Sequence, residues 1–576
     1  MKKQIMALVV IMILVLSMTA CGSDTKESSG SDSKSTESTA SGSTPDETSV
    51  PEAADIDLSE QQTISVWRFA DEGVTIEDVE ENPVNVYWQN KFNINIEYQF
   101  PPVGSESEQL SLMLGTGDYT DLFDVSYLQD DLGTLHDDGV IQDLAPYIET
   151  YMPNYDAFLK DEANKDIRAA VYDDKGRLFT FATLEEEPMA WGGLVYRRDI
   201  LEEMTNGNVK FPSGENQPTT VEDWDYMLPL MKEYFENAGL QEYAPLIIPA
   251  NGYWGSGEVM SGFGIGGTDY IDDSGKVQYG IASDAFYNYL VKMKEWYSTG
   301  YVYKDFASRT QDLPYFPNTS LVYSGAAGVY YGLTAHLGTA LSVPEQGLEV
   351  QVDPIAAPAD TDNGVTDPLG IYLYSGRATG GWAVTSACSE EKLIRMMTAL
   401  DYFYSEDGAA VRTMGLSTAE GAAEDAMLLE KGFTEGTRKP NSREWTVEMN
   451  ANTEDVNTYS GGRLPGLKIV LPPRESDIVD GVYVAEAGAQ AWSKYGHDNC
   501  YPFGAKLTSE EAKEANTIST NIQDYANSMI PKFISGQEEL SEASFQKYLD
   551  QLNSLGLETY LKHKTTAYER YLERTK

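Results

Sequence analysis

Cysteine, histidine and basic residues are scarce in this sequence. Of 576 residues three are Cys and four are His, and Lys plus Arg number 41 against 91 Asp plus Glu. Three cysteines cannot build a disulfide framework; with Cys21 set apart, Cys388 and Cys500 leave room for one bridge, which spacing alone does not decide. His136, His336, His497 and His563 are scattered, which leaves little for a zinc site or a nucleophilic triad, so no metal ligands and no catalytic residues are assigned. The sequence also lacks His-Glu-x-x-His, a Gly-x-Ser-x-Gly elbow and a Walker loop. "GFGIGG", Gly262 to Gly267, fits Gly-x-Gly-x-x-Gly, but no clear strand precedes it, and no cofactor is expected. The shortage of cations leaves a net charge of −50. Polyanions are poor partners for such a field, which argues against nucleic acid and against adhesion to anionic lipid.

Long apolar runs are equally rare: beyond the first twenty residues none reaches the 18 or so that a membrane helix needs. The first twenty differ. Lys2 and Lys3 precede an apolar stretch from Ile5 to Leu16, and Ser17 to Ala20 lead to Cys21. Residues 1–20 read as a cleaved signal peptide, too short to span a bilayer. A cysteine directly after Thr19-Ala20 resembles the lipobox of bacterial lipoproteins, in which that Cys carries the lipid; Met18 stands where Leu is usual. Residues 21–60 are Ser, Thr, Gly, Asp and Glu with almost no aliphatic content, a disordered tether that cannot offset the entropy of ordering. As a flexible coil of roughly 40 residues it would hold the folded part about 35 Å from the lipid. The expected location is the outer face of the cytoplasmic membrane, by a lipid on Cys21.

The chain beyond this tether is too long for one core, and two lobes are expected. "TISVWRF" (Thr63 to Phe69) and "FNINIEYQF" (Phe92 to Phe100) alternate as strands, with a helix ending over Val84 to Lys91 between them. "EQLSLMLGTGDYTDLFDVSY" reads as a helix closed by Gly115, a turn, and a buried strand Leu122 to Val125. This alternation predicts a largely parallel α/β sheet, whose ligands gather at the carboxyl ends of the strands, near Asp124, Ser126 and Tyr127. Arg177 to Met204 reads strand, loop, strand, helix; the helix after "PTTVEDWDY" opens with an N-cap Thr and Glu222; "DDSGKVQYG" is a tight hairpin; and from Thr508 onward the pattern is helical.

The ordered set "LGTGDYTDLFDV", "DGVIQDLAPYIE", "GGLVYRRDILEEM", "TTVEDWDYMLPLM", "GGWAVTSACSEEKLIRMMTALDYFYSEDGAAVRTMG", "MIPKFISGQEEL" and "AYERY" resembles the family 1 extracellular solute-binding proteins of ABC importers, most of all the large Gram-positive lipoproteins of oligosaccharide uptake. The resemblance runs from about Thr63 to Tyr571. It implies a type II periplasmic-binding-protein-like α/β fold with the ligand cleft between two lobes. Lobe one would be 61–181 and 319–386, lobe two 182–318 and 387–576. Where relatives often carry Gly-Trp, this chain has Gly325-Ala326-Ala327, with aromatics following at Tyr330 and Tyr331.

A pyranose offers a CH face to aromatic rings and a fringe of hydroxyls to carboxylates, amides and guanidinium. Tyr at 37 outnumbers Phe at 18, which suits a ligand both flat and polar. The aromatic candidates are Trp67, Tyr127, Trp191, Trp254, Tyr330 and Trp382, each of which core packing would explain as well. Glycines around Trp191 and Trp254 put those two in loops. The polar candidates are Asp124, Ser126, Glu187 and Arg377; Glu187 or Arg377 alone reads first as a solvated charge. The function expected is that of a monomeric, non-enzymatic receptor that binds an oligosaccharide and hands it to membrane permease subunits. A secreted polysaccharide hydrolase, or a receptor for peptides or another small solute on the same fold, stays open.

Overall fold

The structure is a computed structural model that describes residues 57–69, 75–80, 82–128, 131–187, 190, 192–252, 259–310, 312, 318–333, 337–343, 348–369, 377–415, 464–470, 478–479, 482–492 and 499–576. All of them fall within one compact unit, Pro51–Lys576. Cys21, Trp191 and Trp254 lie outside the described residues.

Two sheets organise the chain. The alternating runs form β1 (Gln62–Trp67) and β2 (Ile94–Gln99), parallel, with β3 (Leu122–Asp124) parallel on the other side of β1. The helix Glu106–Thr116 between β2 and β3 ends at Gly117, φ 77°, two residues beyond the predicted stop. The next strands to join are β4 (Thr180–Glu185), far along the chain, then β12 (Ala378–Val384) and β13 (Gly466–Lys468), giving the order β13-β4-β12-β3-β1-β2. Only β12 runs against its neighbours, so this sheet is largely parallel, as the alternation of strands and helices predicts.

The second sheet is different. It comprises β5 (Gly192–Tyr196), β6 (Ala244–Leu246), β9 (Ala327–Leu333), β10 (Gly338–Val343) and β11 (Leu348–Pro354) in the order β10-β11-β5-β9-β6. Only β6 with β9 is parallel, because tight returns such as β10 to β11 need no crossover helix. The predicted hairpin is β7 (Asp269–Ile271) with β8 (Val277–Tyr279), off both sheets.

Sheet membership divides the chain differently from the expected lobes. The segment 319–386 is shared: β9, β10 and β11 join the second sheet, and only β12 returns to the first. The helices Glu390–Asp401 and Glu406–Met414 pack on the first-sheet side, the first against β1 and the second against β13, although both follow residue 387. The C-terminal helices Ser509–Ser535, Glu542–Ser554 and Leu557–Arg574 share one apolar core with β5, β6 and the amphipathic helices Val221–Asn237 and Ala285–Ser298. The Val221–Asn237 helix is opened by a capping box of Thr220 with Asp223 rather than Glu222, since the third residue of the helix is the one that reaches back to the cap amide.

Candidate functional site

A cavity of about 560 Å³ lies where the first sheet meets the start of the helix Ser509–Ser535. One wall is the loop after β3, with Val125 and Leu128, beside the opening residues of β12, Ala378 to Gly380. Those residues reach the cavity through a bulge: the β12–β4 register shifts between Thr379 and Trp382, with Gly380 at φ 44° and Gly381 at φ 107°. A Cβ on Gly381 would stand 2.2 Å from the Phe181 carbonyl oxygen, so only glycine lets the strands pass there.

A second wall is acidic and basic in turn. Asp131 caps the helix Leu132–Asp137 by accepting the Thr134 amide at 2.9 Å, and the same Oδ2 accepts the Ser509 hydroxyl at 2.7 Å. The Asp173 carboxylate accepts the amides of Lys175 and Arg177 and, at 2.7 Å, the Arg177 Nε. Arg177 also donates to Asp137 at 2.6 Å, and its guanidinium lies 4.9 Å from the centre of the Phe179 ring. The Arg177 and His136 hydrogen bonds hold the Asp137 carboxyl down to about 2. Burial pushes Asp173 upward, but the hydrogen bonds from Arg177 and Lys175 outweigh it and leave its pKa below the ordinary carboxylate value.

The third wall is the loop 503–509. Arg570 grips Glu511 with both ends of its guanidinium, at 3.0 and 2.7 Å, and donates to the Lys506 carbonyl at 2.9 Å. Arg574 donates to the carbonyls of Gly504 and Tyr172. Gly504 is required for that contact, since a Cβ would come within 2.9 Å of the Tyr571 ring and 3.1 Å of the Ala169 carbonyl carbon. So held, the loop presents Phe503, 59 % exposed, and the Lys506 side chain to the cavity. Burial and the nearby Arg574 push the Lys506 pKa down, and the carboxylates Asp173, Asp131 and Asp174 offset part of that, while the side chain stays exposed.

The sequence-predicted residues divide. Ser126 and Tyr127 stand between the cavity-lining residues Val125 and Leu128 without lining it themselves, and Asp124, just before them, is buried. The Asp124 carboxylate accepts the Ser126 amide at 2.8 Å; Tyr127 is 36 % exposed, edge-on to Phe69 at 4.9 Å. Trp67 and Trp382 lie behind them, 5 % and 0 % exposed, and Tyr330, at 1 %, belongs to a separate core on the second sheet; all three are buried as packing residues. The Arg377 guanidinium is taken up by Asn164, Asp166 and the Glu186 carbonyl, tying β12 to neighbouring loops rather than reaching the cavity. Glu187 is exposed. Phe503, Lys506 and Arg177 are additions that sequence reasoning missed. The signal for the first two was an aromatic in the Pro- and Gly-containing stretch "YPFGAK" just ahead of the Thr508–Glu511 capping box.

The glycine motif holds no nucleotide loop: Gly262 is closed by the Pro358 carbonyl, and a strand, not a helix, follows. Cys388 and Cys500 are not joined in a disulfide. Among the described residues no cluster of three or more His, Cys, Asp or Glu is placed to hold a metal ion, and no helix is long and apolar enough to cross a membrane.

Comparison with known proteins agrees with this architecture. No curated protein matches the sequence. Among solved structures, an HMO binding ABC-transporter associated solute-binding protein from Bifidobacterium longum infantis is 16 % identical, with 89 % of this chain and 99 % of that one covered and a TM-score of 0.67. An extracellular solute-binding protein from Bifidobacterium longum subsp. infantis is likewise 16 % identical, with 89 % and 98 % covered and a TM-score of 0.65. The Streptococcus pneumoniae ABC-transporter substrate-binding protein FusA, an EF-hand mutant in complex with fructo-nystose, gives 16 % identity, 89 % and 100 % coverage and a TM-score of 0.64. At these identities the likeness establishes the fold, the two-lobed α/β architecture of solute-binding proteins. The family model described as bacterial extracellular solute-binding protein matches residues 75–410, more than half of the chain, and the chain therefore belongs to that family.

Proposed function

We propose that this protein is a receptor that encloses an oligosaccharide between its lobes and passes it, intact, to the permease subunits of an ABC importer, held outside the cell by a lipid on Cys21. The observation that carries the ligand class is the cavity between the first sheet and the C-terminal helices, where the exposed ring of Phe503 faces a wall of hydroxyl, carboxylate, guanidinium and ammonium groups. An aromatic ring suits the CH face of a sugar, and charged groups suit its hydroxyls through strong hydrogen bonds. Two relatives of the same fold point the same way, one described as HMO binding and the other in complex with fructo-nystose. Ser126 and Tyr127 extend the site at its rim; Trp191 and Trp254 remain candidate stacking residues.

A glycosidase would need a carboxylic acid kept protonated near neutral pH. The cavity carboxyls Asp137 and Asp173 are shifted the other way by Arg177, so neither suits the role of that acid. Calorimetry and thermal shift against a panel of oligosaccharides test the reading. Saturable binding with the sugar recovered unchanged is expected; cleavage products would reassign the protein to hydrolysis, and a response to peptides alone would overturn the ligand class.

A further inference from the structure

One ring nitrogen behind the second wall of the cavity faces two partners that make opposite demands on it. The His136 Nδ1 lies 3.0 Å from the Arg177 Nη1 and 3.3 Å from the Asp137 Oδ1. A guanidinium only donates and an ionised carboxylate only accepts, so Nδ1 serves one of them at a time. With its lone pair free, the neutral ring accepts from Arg177, the shorter contact. With a proton on Nδ1 it donates to Asp137 instead and turns a positive charge toward the guanidinium. Among the described residues the ring has no other polar partner.

Arg177 carries this choice into the cavity, which it lines with Asp137 and Phe179 while His136 stays behind them. The guanidinium lies over the Phe179 ring, with Asp173 at 2.7 Å from its Nε and Nη2 and Asp137 Oδ1 at 2.6 Å from its Nη1. Gly133 leaves room for it, since a Cβ there would stand 3.3 Å from Nη2. Protonation of His136 would remove an acceptor from Nη1 and set a like charge 3.0 Å away. It would also bring a second donor to the one Asp137 oxygen that Nη1 uses. The other charged groups about the ring are Asp131 at the cap of its own helix, Asp173, Asp174 and Lys175 beside Arg177, and Lys506 on the opposite wall. Asp137, held down to about 2, and Asp173, held below the ordinary carboxylate value, stay ionised where histidine titrates, and Arg177 stays charged.

We propose that His136 is a positioning residue that makes sugar binding respond to pH: neutral, it fixes the Arg177 guanidinium where a sugar hydroxyl meets it, and protonated, it displaces that group and weakens the site. Covering the wall with sugar acts in the same direction. The His136 side chain is 30 % exposed, and removing the remaining water favours the uncharged imidazole. Binding is therefore tight above the ordinary histidine range and weaker below it, and within that range it releases a proton. The inference rests on the saccharide reading above and adds a control to the same site.

The test is calorimetry from about pH 8 to about pH 5 with a panel of oligosaccharides that carry no group titrating in that range. A melt of the empty protein at each pH ensures that affinity is read only where the chain is folded. Affinity is expected to fall about tenfold across the range, the loss typical of one hydrogen bond to a charged group. Near the middle of the range the heat should vary with the ionisation enthalpy of the buffer, the mark of a released proton. His136→Asn, whose amide oxygen can accept from Arg177 at any pH, should keep most of the affinity of the neutral form, lose the pH response and release no proton. His136→Phe, which has no acceptor, should bind weakly at both ends. Lys506, whose own pKa is lowered, is controlled by Lys506→Met, in which the response should persist. An affinity independent of pH, a response that survives in His136→Asn, or one that vanishes in Lys506→Met would overturn this proposal and leave the receptor reading standing. No binding at any pH across the panel would remove both.

Discussion

Phe503 and Trp382 show how burial, rather than residue type, separates a ligand platform from a core residue. Phe503 is 59 % exposed on a loop that the protein clamps from behind, so its ring is presented rather than packed. Phe503→Ala should leave the melting temperature of the empty protein nearly unchanged and lower sugar affinity by roughly ten- to a hundredfold, the equivalent of burying one aromatic face at about 1.5–3 kcal/mol. Calorimetry beside a thermal melt reads both; unaltered affinity would strike Phe503 from the site. Trp382 gives the opposite pattern. It is fully buried in β12 next to Asp124, and Trp382→Ala should cost about 3–5 kcal/mol of stability through the cavity left behind. A chemical denaturation series measures that. The sequence could not separate the two cases, because β3 and the end of β12 are buried on both faces, and alternation there marks no outer face, although the edge strand β2 does alternate between buried and exposed. Trp67, in a run that alternates well, is core for the same reason.

At the scale of elements, the loop 503–509 depends on two arginines and one glycine. Gly504→Ala would place a methyl against the Tyr571 ring and the Ala169 backbone, and the backbone atom cannot swing aside. It is expected to cost about 1–3 kcal/mol and to weaken sugar binding as Phe503 and Lys506 shift; a variant as stable and as tight as the parent would show that the loop needs no close approach. The Arg570–Glu511 pair adds a dependence on pH. The Arg570 hydrogen bonds hold the Glu511 carboxyl down to about 2, below the value near 4.3 of an unfolded chain. The pair's contribution is therefore complete above about pH 4.3 and is lost as pH falls toward 2. Glu511→Gln, which can still close the capping box with Thr508, should flatten the melting temperature between pH 4.5 and about 2 relative to the parent; parallel curves would exclude the pair as a source. The Thr220 cap, the β7–β8 hairpin and the strands β1 and β2 were legible because their causes are local in sequence. The mixed second sheet was not, since β5 pairs with β9 and β11 across more than a hundred residues, and those pairings leave no pattern in a window of the chain. The cavity's third wall shares that difficulty, as Arg570 and Arg574 reach it from a helix some sixty residues further on.

For the whole molecule, the helix Ser509–Ser535 joins the two halves of the site. Its middle and end pack in the core of the second sheet through Ala515, Ile522, Ala526 and Ile530, while its first residue donates to Asp131 on the first-sheet side. The helix Leu557–Arg574 does the same, with Tyr560 in that core and Arg570 and Arg574 paired to Asp174. These polar contacts bridge the cavity, and partly exposed ion pairs of this kind contribute on the order of 1 kcal/mol each, little against the binding energy of a ligand that spans both walls. A ligand that touches both walls would add its binding energy to the arrangement that brings them together, and occupancy would then become a change of shape. The double variant Ser509→Ala with Asp174→Ala removes the Asp131 and Asp174 links, keeps the main-chain bonds of Arg574 to Tyr172 and of Lys165 to Thr575, and leaves the helix cap, which is Thr508, in place. Small-angle X-ray scattering should then give a larger radius of gyration for the empty variant than for the empty parent, and saturating sugar should bring the two together. Stability reads the same linkage: free ligand at 100 times Kd should raise the unfolding free energy by about 2.7 kcal/mol in either protein. An empty variant no larger than the parent would mean that the lobes are held by their packed cores, and that ligand closes nothing.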